Sequence, residues 1–247
     1  MSTLFISDLH LDVQRPDITA ALLRLLEGEA REAEALYILG DLFEAWVGDD
    51  DPGEPGATVA AALRSLSDSG VPVFLLRGNR DFLLGQAFAE RANANLLPDP
   101  CVIDLYGEAT LLMHGDLLCT GDSAYQAFRR QVRDHDWQEK FLAQPLAARQ
   151  AFAAQARAAS RAHQAGLADA GAMDSIADVT PDAVIETMAR FGVRRLIHGH
   201  THRPAIHALE VDGRAATRVV LGDWHAQGSI LRVDRDGLAL SSLPLTC

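Results

Sequence analysis

Cysteine is scarce in this 247-residue chain: only Cys101, Cys119 and Cys247 occur, odd in number and far apart. Such spacing excludes a disulfide framework and a Cys-x-x-Cys metal knuckle, and it points to a reducing, cytoplasmic setting. Long apolar runs are missing as well. No stretch reaches the roughly 18 uninterrupted apolar residues of a spanning helix. The opening MSTLFISDLHLD has neither the basic region nor the apolar core of a secretion signal. The expectation is a protein that is soluble or peripheral to a membrane. Positive charge is in deficit too, with 22 Lys and Arg against 34 Asp and Glu and a formal net charge of −12. That sign argues against broad nucleic-acid binding, because phosphate backbones attract basic surfaces.

The deficit is uneven. Ser123 to Ala165 holds seven Lys/Arg against three Asp/Glu, a local excess of +4 that leaves −16 for the remainder. The 48% hydrophobic content is enough for a substantial core, and the length suits one domain or one domain with an insertion.

Apolar runs rich in β-branched residues predict strands at Thr3–Ser7, Ala35–Leu39, Val71–Leu76, Thr110–Met113 and Arg195–His198. Leucines at 22, 23, 25 and 26 predict a helix over Ile18–Ala35, capped by Asp17 after Pro16. A second helix is expected over Ala57–Ser67. Strands alternating with helices imply an α/β fold. The tail reads as three strands, Ala205–Val211, Thr217–Leu221 and Ser229–Val233, an antiparallel finish that implies a mixed sheet or two packed sheets. Residues 123–176 break the rhythm. Their Ala, Gln and Arg content, with apolar residues three and four apart, predicts amphipathic helices inserted between core strands.

Five predicted strands run into polar clusters: Asp8-Leu9-His10, Gly40-Asp41, Gly78-Asn79-Arg80-Asp81, His114-Gly115-Asp116 and His198-Gly199-His200-Thr201-His202. In α/β sheets, loops at the carboxyl ends of strands converge on one crevice. Imidazole and carboxylate ligands without thiolate suit Mn, Fe, Co or Zn in a catalytic rather than a structural site. Residues two apart on an extended chain point the same way. Asp8 and His10 can therefore grip one ion together, as can His200 and His202. Asp41 has two oxygens with which to bridge a pair of ions, and Asn79 offers a neutral one.

The set D-x-H, G-D, G-N-x-D, H-G-D and G-H-T-H resembles the five-block signature of the calcineurin-like metallophosphoesterases. Within that superfamily, ISDLHL (6–11), ALYILGDLFEAWVGDDD (35–51), GNRDFLLG (78–85), MHGDLLCTGD (113–122), YQAFR (125–129) and LIHGHTHRPAIH (196–207) are similar to the UDP-2,3-diacylglucosamine diphosphatases of lipid A biosynthesis. The resemblance implies a layered sandwich of two mostly mixed β-sheets flanked by helices. Residues 1–122 and 177–247 would form its core, and residues 123–176 a helical cap. It implies two divalent ions, manganese by preference, with Asp8, His10, Asp41 and His202 around one and Asp41, Asn79, His114 and His200 around the other. The implied reaction is attack of an activated water on the α-phosphorus of the UDP unit, releasing UMP and 2,3-diacylglucosamine 1-phosphate.

Arg80 stands where most of the superfamily has histidine, a candidate acid for an alkoxide leaving group. Arginine does not give up its proton usefully. A leaving phosphate monoester, with a second pKa of about 6, needs charge stabilisation instead. Arg80 therefore favours an anhydride over a simple ester. The resemblance also nominates Asp122, Arg157, Ser160 and Gln164 for contact with the substrate. Gln164 stands where the family has Asn, and Leu167 where it has Lys. Phe128, Val132, Trp137, Phe141, Leu142 and Phe152 are expected to line an acyl-chain slot in the cap, whose arginines would meet anionic headgroups on the cytoplasmic face of the inner membrane. A monomer is expected. Asp81, Asp116, His198 and the Asp223-Trp224-His225 triplet are read as supporting groups, and Asp49–Asp51 as a solvated loop. The competing readings are another phosphoesterase on the same scaffold, such as a nuclease, and a scaffold without chemistry.

Overall fold

The computed structural model describes residues 1–51, 53–169 and 178–245, with the side chains at 163–165 and 167–169 outside that set. Two mixed sheets lie face to face. One runs in the order β11 (Leu238–Leu243), β10 (Gly228–Val233), β1 (Thr3–Ile6), β2 (Ala35–Leu39), β3 (Val73–Leu76), β4 (Asn95–Leu96). The other runs β5 (Cys101–Leu105), β6 (Glu108–Met113), β7 (Arg195–His198), β9 (Arg214–Val220), β8 (Ala205–Val211). Side chains alternate across each strand, and the apolar runs divide accordingly. Phe5, Leu39, Leu112, Ile197 and Val219 fill the space between the sheets. Leu4, Ile6, Leu36 and Ile38 face outward onto α1 (Pro16–Glu27), α2 (Gly56–Asp68) and α3 (Gln86–Ala92), through Leu22, Leu63 and Phe88. Leu111, Met113 and Leu196 face α7 (Pro181–Phe191), through Val184 and Met188. Strands covered on both faces read as continuous apolar runs, which is why the periodicity found them.

The differences from the sequence reading are local. The first helix stops at Glu27, and a short 3-10 turn, Glu29–Glu32, follows before the chain straightens at Ala33. Asp17 is not the cap: Arg15 holds that position, Pro16 opens the helix, and the Asp17 carboxylate accepts from Arg15 Nε and Nη2 at 3.0 and 2.8 Å. The tail has four strands and serves both sheets. β8 and β9 form a hairpin whose inner strand runs parallel to β7, while β10 and β11 form a hairpin beside β1. β5, α3 and α7 escaped the reading, although Thr180-Pro181 and a left-handed Gly192 bracket α7 in the expected way.

The inserted segment folds as α4 (Ser123–Val132), α5 (His135–Leu142) and α6 (Leu146–Asp169); residues 170–177 lie outside the described set. It is bolted to the core by three arginines. Arg129 Nε donates to Asp116 Oδ2 at 2.8 Å, and Arg133 Nη2 donates to the Gly78 carbonyl at 2.9 Å. Arg149, 2% exposed, donates to the Val47 carbonyl and forms a forked pair with Asp50. The 49–51 loop is thus a strap, with Asp49 accepting from Trp46 Nε1, Gly85 N and Phe88 N, each at 2.9 Å. Between these anchors Trp137 stacks on Phe141, Phe152 meets both rings at an angle, and the three join the outer core.

Leu36, fully buried in β2, supports the strand that delivers Asp41. Leu36→Ala is expected to cost about 2–5 kcal/mol of stability, the usual range for such a cavity. Ile206→Ala, at a position 47% exposed, should cost less than about 0.5 kcal/mol. Urea unfolding of both variants checks the contrast.

Candidate metal centre

Strands β1, β2 and β3 are mutually parallel in one sheet, and β6, β7 and β9 are in the other. Their carboxyl ends therefore open at the same end of the sandwich. The loops leaving them are laced to one another by backbone bonds: Asp8 N to Gly40 O at 3.1 Å, His10 N to Asp41 O at 3.0 Å, and Gly199 N to His114 O at 2.8 Å. The two sheets are joined at Asp8, whose Oδ2 accepts from His200 N at 3.0 Å and whose carbonyl accepts from Trp224 N at 3.1 Å, so segments as distant as residues 8 and 202 meet.

The backbone at the meeting point is unusual. Asp8, His10, Asp41, His200 and His202 all have left-handed φ values, between 49° and 70°. For residues with a Cβ that region is sparsely populated and costs free energy. Neither the Asp8–His10 pair nor the His200–His202 pair is extended, since each chain curls after its strand. Asp8 and His10 still reach one group with His202, whereas the expected pairing of His200 with His202 does not hold. Close approach also demands glycine. A Cβ on Gly78 would sit 2.1 Å from Asp41 Oδ1, and one on Gly199 would sit 2.2 Å from Asp8 Oδ2.

Two clusters result, with Asp41 between them. In one, His10 Nε2 faces His202 Nε2 at 3.3 Å, and His202 Nε2 lies 3.4 Å from Asp8 Oδ1. In the other, His114 Nε2 and His200 Nδ1 each lie 2.8 Å from Asn79 Oδ1. Asp41 Oδ2 is 3.8 Å from His10 Nε2, while its Oδ1 is 3.7 Å from His114 Nε2. His200 and His202 thus belong to different clusters. The outward ring nitrogens face oxygens: His114 Nδ1 donates to the Leu39 carbonyl at 3.0 Å, while His10 Nδ1 and His202 Nδ1 lie 3.2 and 3.8 Å from the carboxylates of Glu44 and Asp223. That is the pattern of histidines oriented for metal binding, with lone pairs left pointing at one another and at carboxylate and amide oxygens. Imidazole nitrogens and carboxylate and amide oxygens converging at these distances can hold a cation. The donor set, nitrogen and oxygen with no thiolate, fits divalent transition metals.

The electrostatics agree. Asp8, completely buried, is opposed by desolvation, yet its bond with His202 and the charges of His114, His202 and His10 hold it below the usual carboxylate range. His114 is also disfavoured as a cation by burial, but the carboxylates of Asp41, Asp8 and Asp116 raise it to about 9. Burial and the nearby His114 charge push His200 down to about 4. A field that draws a proton onto a buried imidazole is one that accepts a metal cation. Asp81, raised to about 6 by burial and by Asp41, accepts from Gly78 N at 2.7 Å and Leu42 N at 2.8 Å, tying two of the loops together. His198 donates Nδ1 to the Gly199 carbonyl at 2.8 Å, and burial beside Arg218 lowers it to about 3.

The clusters open into a cleft of about 1390 Å³. Asp8, His10, Asp41, Asn79, Arg80, His200 and His202 line it, as do Asp122, Arg157 and Ser160. Asp122 also caps α4, accepting from Tyr125 N at 2.9 Å. Arg80 donates its backbone N–H to Asp41 Oδ1 at 2.7 Å, and its guanidinium lies 4.0 Å from Glu44. Of the six residues expected in the acyl slot, Phe128, Phe141 and Phe152 face the cleft. Val132, Trp137 and Leu142 do not: Val132 is buried, Trp137 stacks between Phe82 and Phe141, and Leu142 is 40% exposed. Helical spacing identified an apolar stripe but not its partner, and half of it is core. The Gln164 side chain lies outside the described residues. Sequence reasoning passed over Glu44, and Tyr125, whose ring stacks 6.0 Å from His200 while its hydroxyl donates to Asp116 at 2.6 Å. Neither stands in a strand-end cluster, the signal that located the others.

Residues 1–204 match the calcineurin-like phosphoesterase family. The chain is 60% identical to a UDP-2,3-diacylglucosamine hydrolase of Xanthomonas axonopodis, over 99% of this chain and 100% of that one. It is 60% identical to the protein of that name from Stenotrophomonas maltophilia, over 98% and 99% of the two chains. Among solved structures it is similar to an archaeal phosphodiesterase, 13% identical with a TM-score of 0.49 over 98% of this chain and 100% of that chain, a likeness too slight to argue from. The strand-end cluster and the sequence agree, and the chain belongs to the calcineurin-like phosphoesterases.

Proposed function

We propose that this chain hydrolyses the diphosphate of UDP-2,3-diacylglucosamine in lipid A biosynthesis, giving UMP and 2,3-diacylglucosamine 1-phosphate. The observation that carries the reading is Asp41, whose two oxygens face separate histidine clusters at 3.7 and 3.8 Å. Full-length likeness to hydrolases named for that substrate narrows the chemistry. Asp8, His10, Asp41 and His202 would hold one divalent ion, and Asp41, Asn79, His114 and His200 the other, with manganese suited to this nitrogen and oxygen set. When bound, such a pair polarises phosphoryl oxygens and makes water a competent nucleophile near neutral pH.

The chain's own groups supply position and charge. Water adds to the α-phosphorus, and the bond from that phosphorus to the bridging oxygen breaks. The departing sugar phosphate leaves as an anion, and Arg80 on the cleft wall stabilises its charge. Asp122, Arg157 and Ser160, with Gln164 on the same helix as the last two, are assigned to the sugar and its phosphate. Phe128, Phe141 and Phe152 offer an apolar wall to acyl chains. No described helix is long and apolar enough to cross a membrane. The arginine-rich cap would hold the protein, as a monomer, against the cytoplasmic face of the inner membrane, where a lipid-linked nucleotide sugar is presented.

Hydrolysis in ¹⁸O-water tests the reaction directly. The label is expected in UMP, by mass spectrometry; label in the lipid product would contradict attack at the α-phosphorus. Asp41→Ala should fold yet lose at least about 10²–10³-fold in kcat, the scale of losing one group that stabilises the transition state. Glu44→Ala removes the partner of His10 Nδ1 and should weaken manganese affinity about 10–100-fold, read by calorimetry. Unchanged affinity would mean that Glu44 does not orient His10.

A further inference from the structure

Two sets of side chains of opposite character line the cleft. One is apolar, Phe82, Phe128, Phe141 and Phe152. The other is polar, Asp12, Gln14, Arg15, Asp223 and His225, on the loops after β1 and β9. The polar set is built rather than incidental. Arg15 Nη2 donates to the His225 carbonyl at 2.8 Å, and its Nη1 lies 3.3 Å from His225 Nδ1. Asp17 holds the same guanidinium from behind at 2.8 and 3.0 Å. These bonds clamp the loop after β1 to the loop after β9, and Asp223 in the latter reaches His202 Nδ1 at 3.8 Å. The clamp therefore joins this wall directly to one cluster.

A substrate cut at its diphosphate has one greasy half and one polar half on either side of the bond. Apolar chains gain nothing among carboxylates and guanidinium, and a nucleoside among phenylalanines would leave its hydrogen-bonding groups unpaired. We propose that the polar wall formed by Asp12, Gln14, Arg15, Asp223 and His225 is the nucleoside subsite, which receives the uridine side of the substrate and releases UMP. This rests on the diphosphatase reading above. The chemistry matches group by group. A uracil edge presents acceptor, donor, acceptor, and the Gln14 amide carries a donor and an acceptor to pair with it. A ribose diol suits a carboxylate such as Asp12. The Arg15 guanidinium, already oriented, adds a cation near the 5′-phosphate, where charge-assisted bonds are strong.

The test uses the full-length, manganese-loaded protein and both products as competitive inhibitors. Gln14→Ala and Arg15→Met should each raise the UMP inhibition constant about tenfold, the loss expected for one good hydrogen bond to a charged or well-placed group. The constant for 2,3-diacylglucosamine 1-phosphate should move less than about twofold, the scatter of an uninvolved surface change. Phe128→Ala should do the reverse. Melting temperatures confirm that each variant folds, and Gln14, exposed on a loop, keeps the test open if Arg15→Met does not. UMP inhibition unchanged in Gln14→Ala, or both products weakened together, overturns the subsite. Calorimetric titration of UMP separates this from the parent reading: UMP binding lost in Gln14→Ala, in a protein that never cleaves the lipid substrate, would keep the subsite and sink the reaction.

Discussion

Everything in this molecule is arranged around the crowding of carboxylates and imidazole lone pairs at one end of a β-sandwich. Asp8 and Asp41 are buried beside four histidines whose second nitrogens mostly point at supporting groups. Without a counter-charge, such a cluster is repulsive. The protein nonetheless holds it together with five left-handed, Cβ-bearing residues, each costing of order 1–3 kcal/mol. The two sheets meet that cost. Their parallel strands register the loops to within a hydrogen bond of one another, and the buried apolar faces on both sides of each sheet hold the strands.

The same constraint explains why the helical segment is more than a lid. α4 sends Arg133 to the Gly78 carbonyl and Arg129 to Asp116 and Asp99, and Asp99 in turn accepts the His114 N–H at 3.1 Å. Tyr125 leans on His200. The first inserted helix is therefore part of the scaffold that holds Asn79, His114 and His200, whereas α5 and α6 are attached through stacked aromatics and the Arg149–Asp50 fork. Placement of the cap and geometry of the cluster are coupled through few side chains. α4, whose Phe128 lines the cleft, thus also braces the histidine cluster.

Much of this was legible in the sequence, for physical reasons. Strands covered on both faces must be continuously apolar, so β1, β2, β3, β6 and β7 stood out, and the polar residues at their ends marked the site. What was not legible depends on partners. Asp17 looks like a helix cap until Arg15 is seen to hold its carboxylate. His200 and His202 look like a pair on a strand until their left-handed backbone turns them to different neighbours. Trp137 and Phe141 share one stripe on α5, yet only Phe141 reaches the cleft, because Trp137 is caught between Phe82 and its own helix. Glu44 lies inside the 35–51 stretch, but nothing in that stretch shows that its carboxylate comes to 3.2 Å of His10 Nδ1.

The account turns on two cations sharing Asp41, and anomalous scattering from crystals grown with manganese measures that directly. It predicts two peaks, one enclosed by Asp8, His10 and His202 and the other by Asn79, His114 and His200, with Asp41 touching both. A single peak, or two peaks neither of which reaches Asp41, would contradict it.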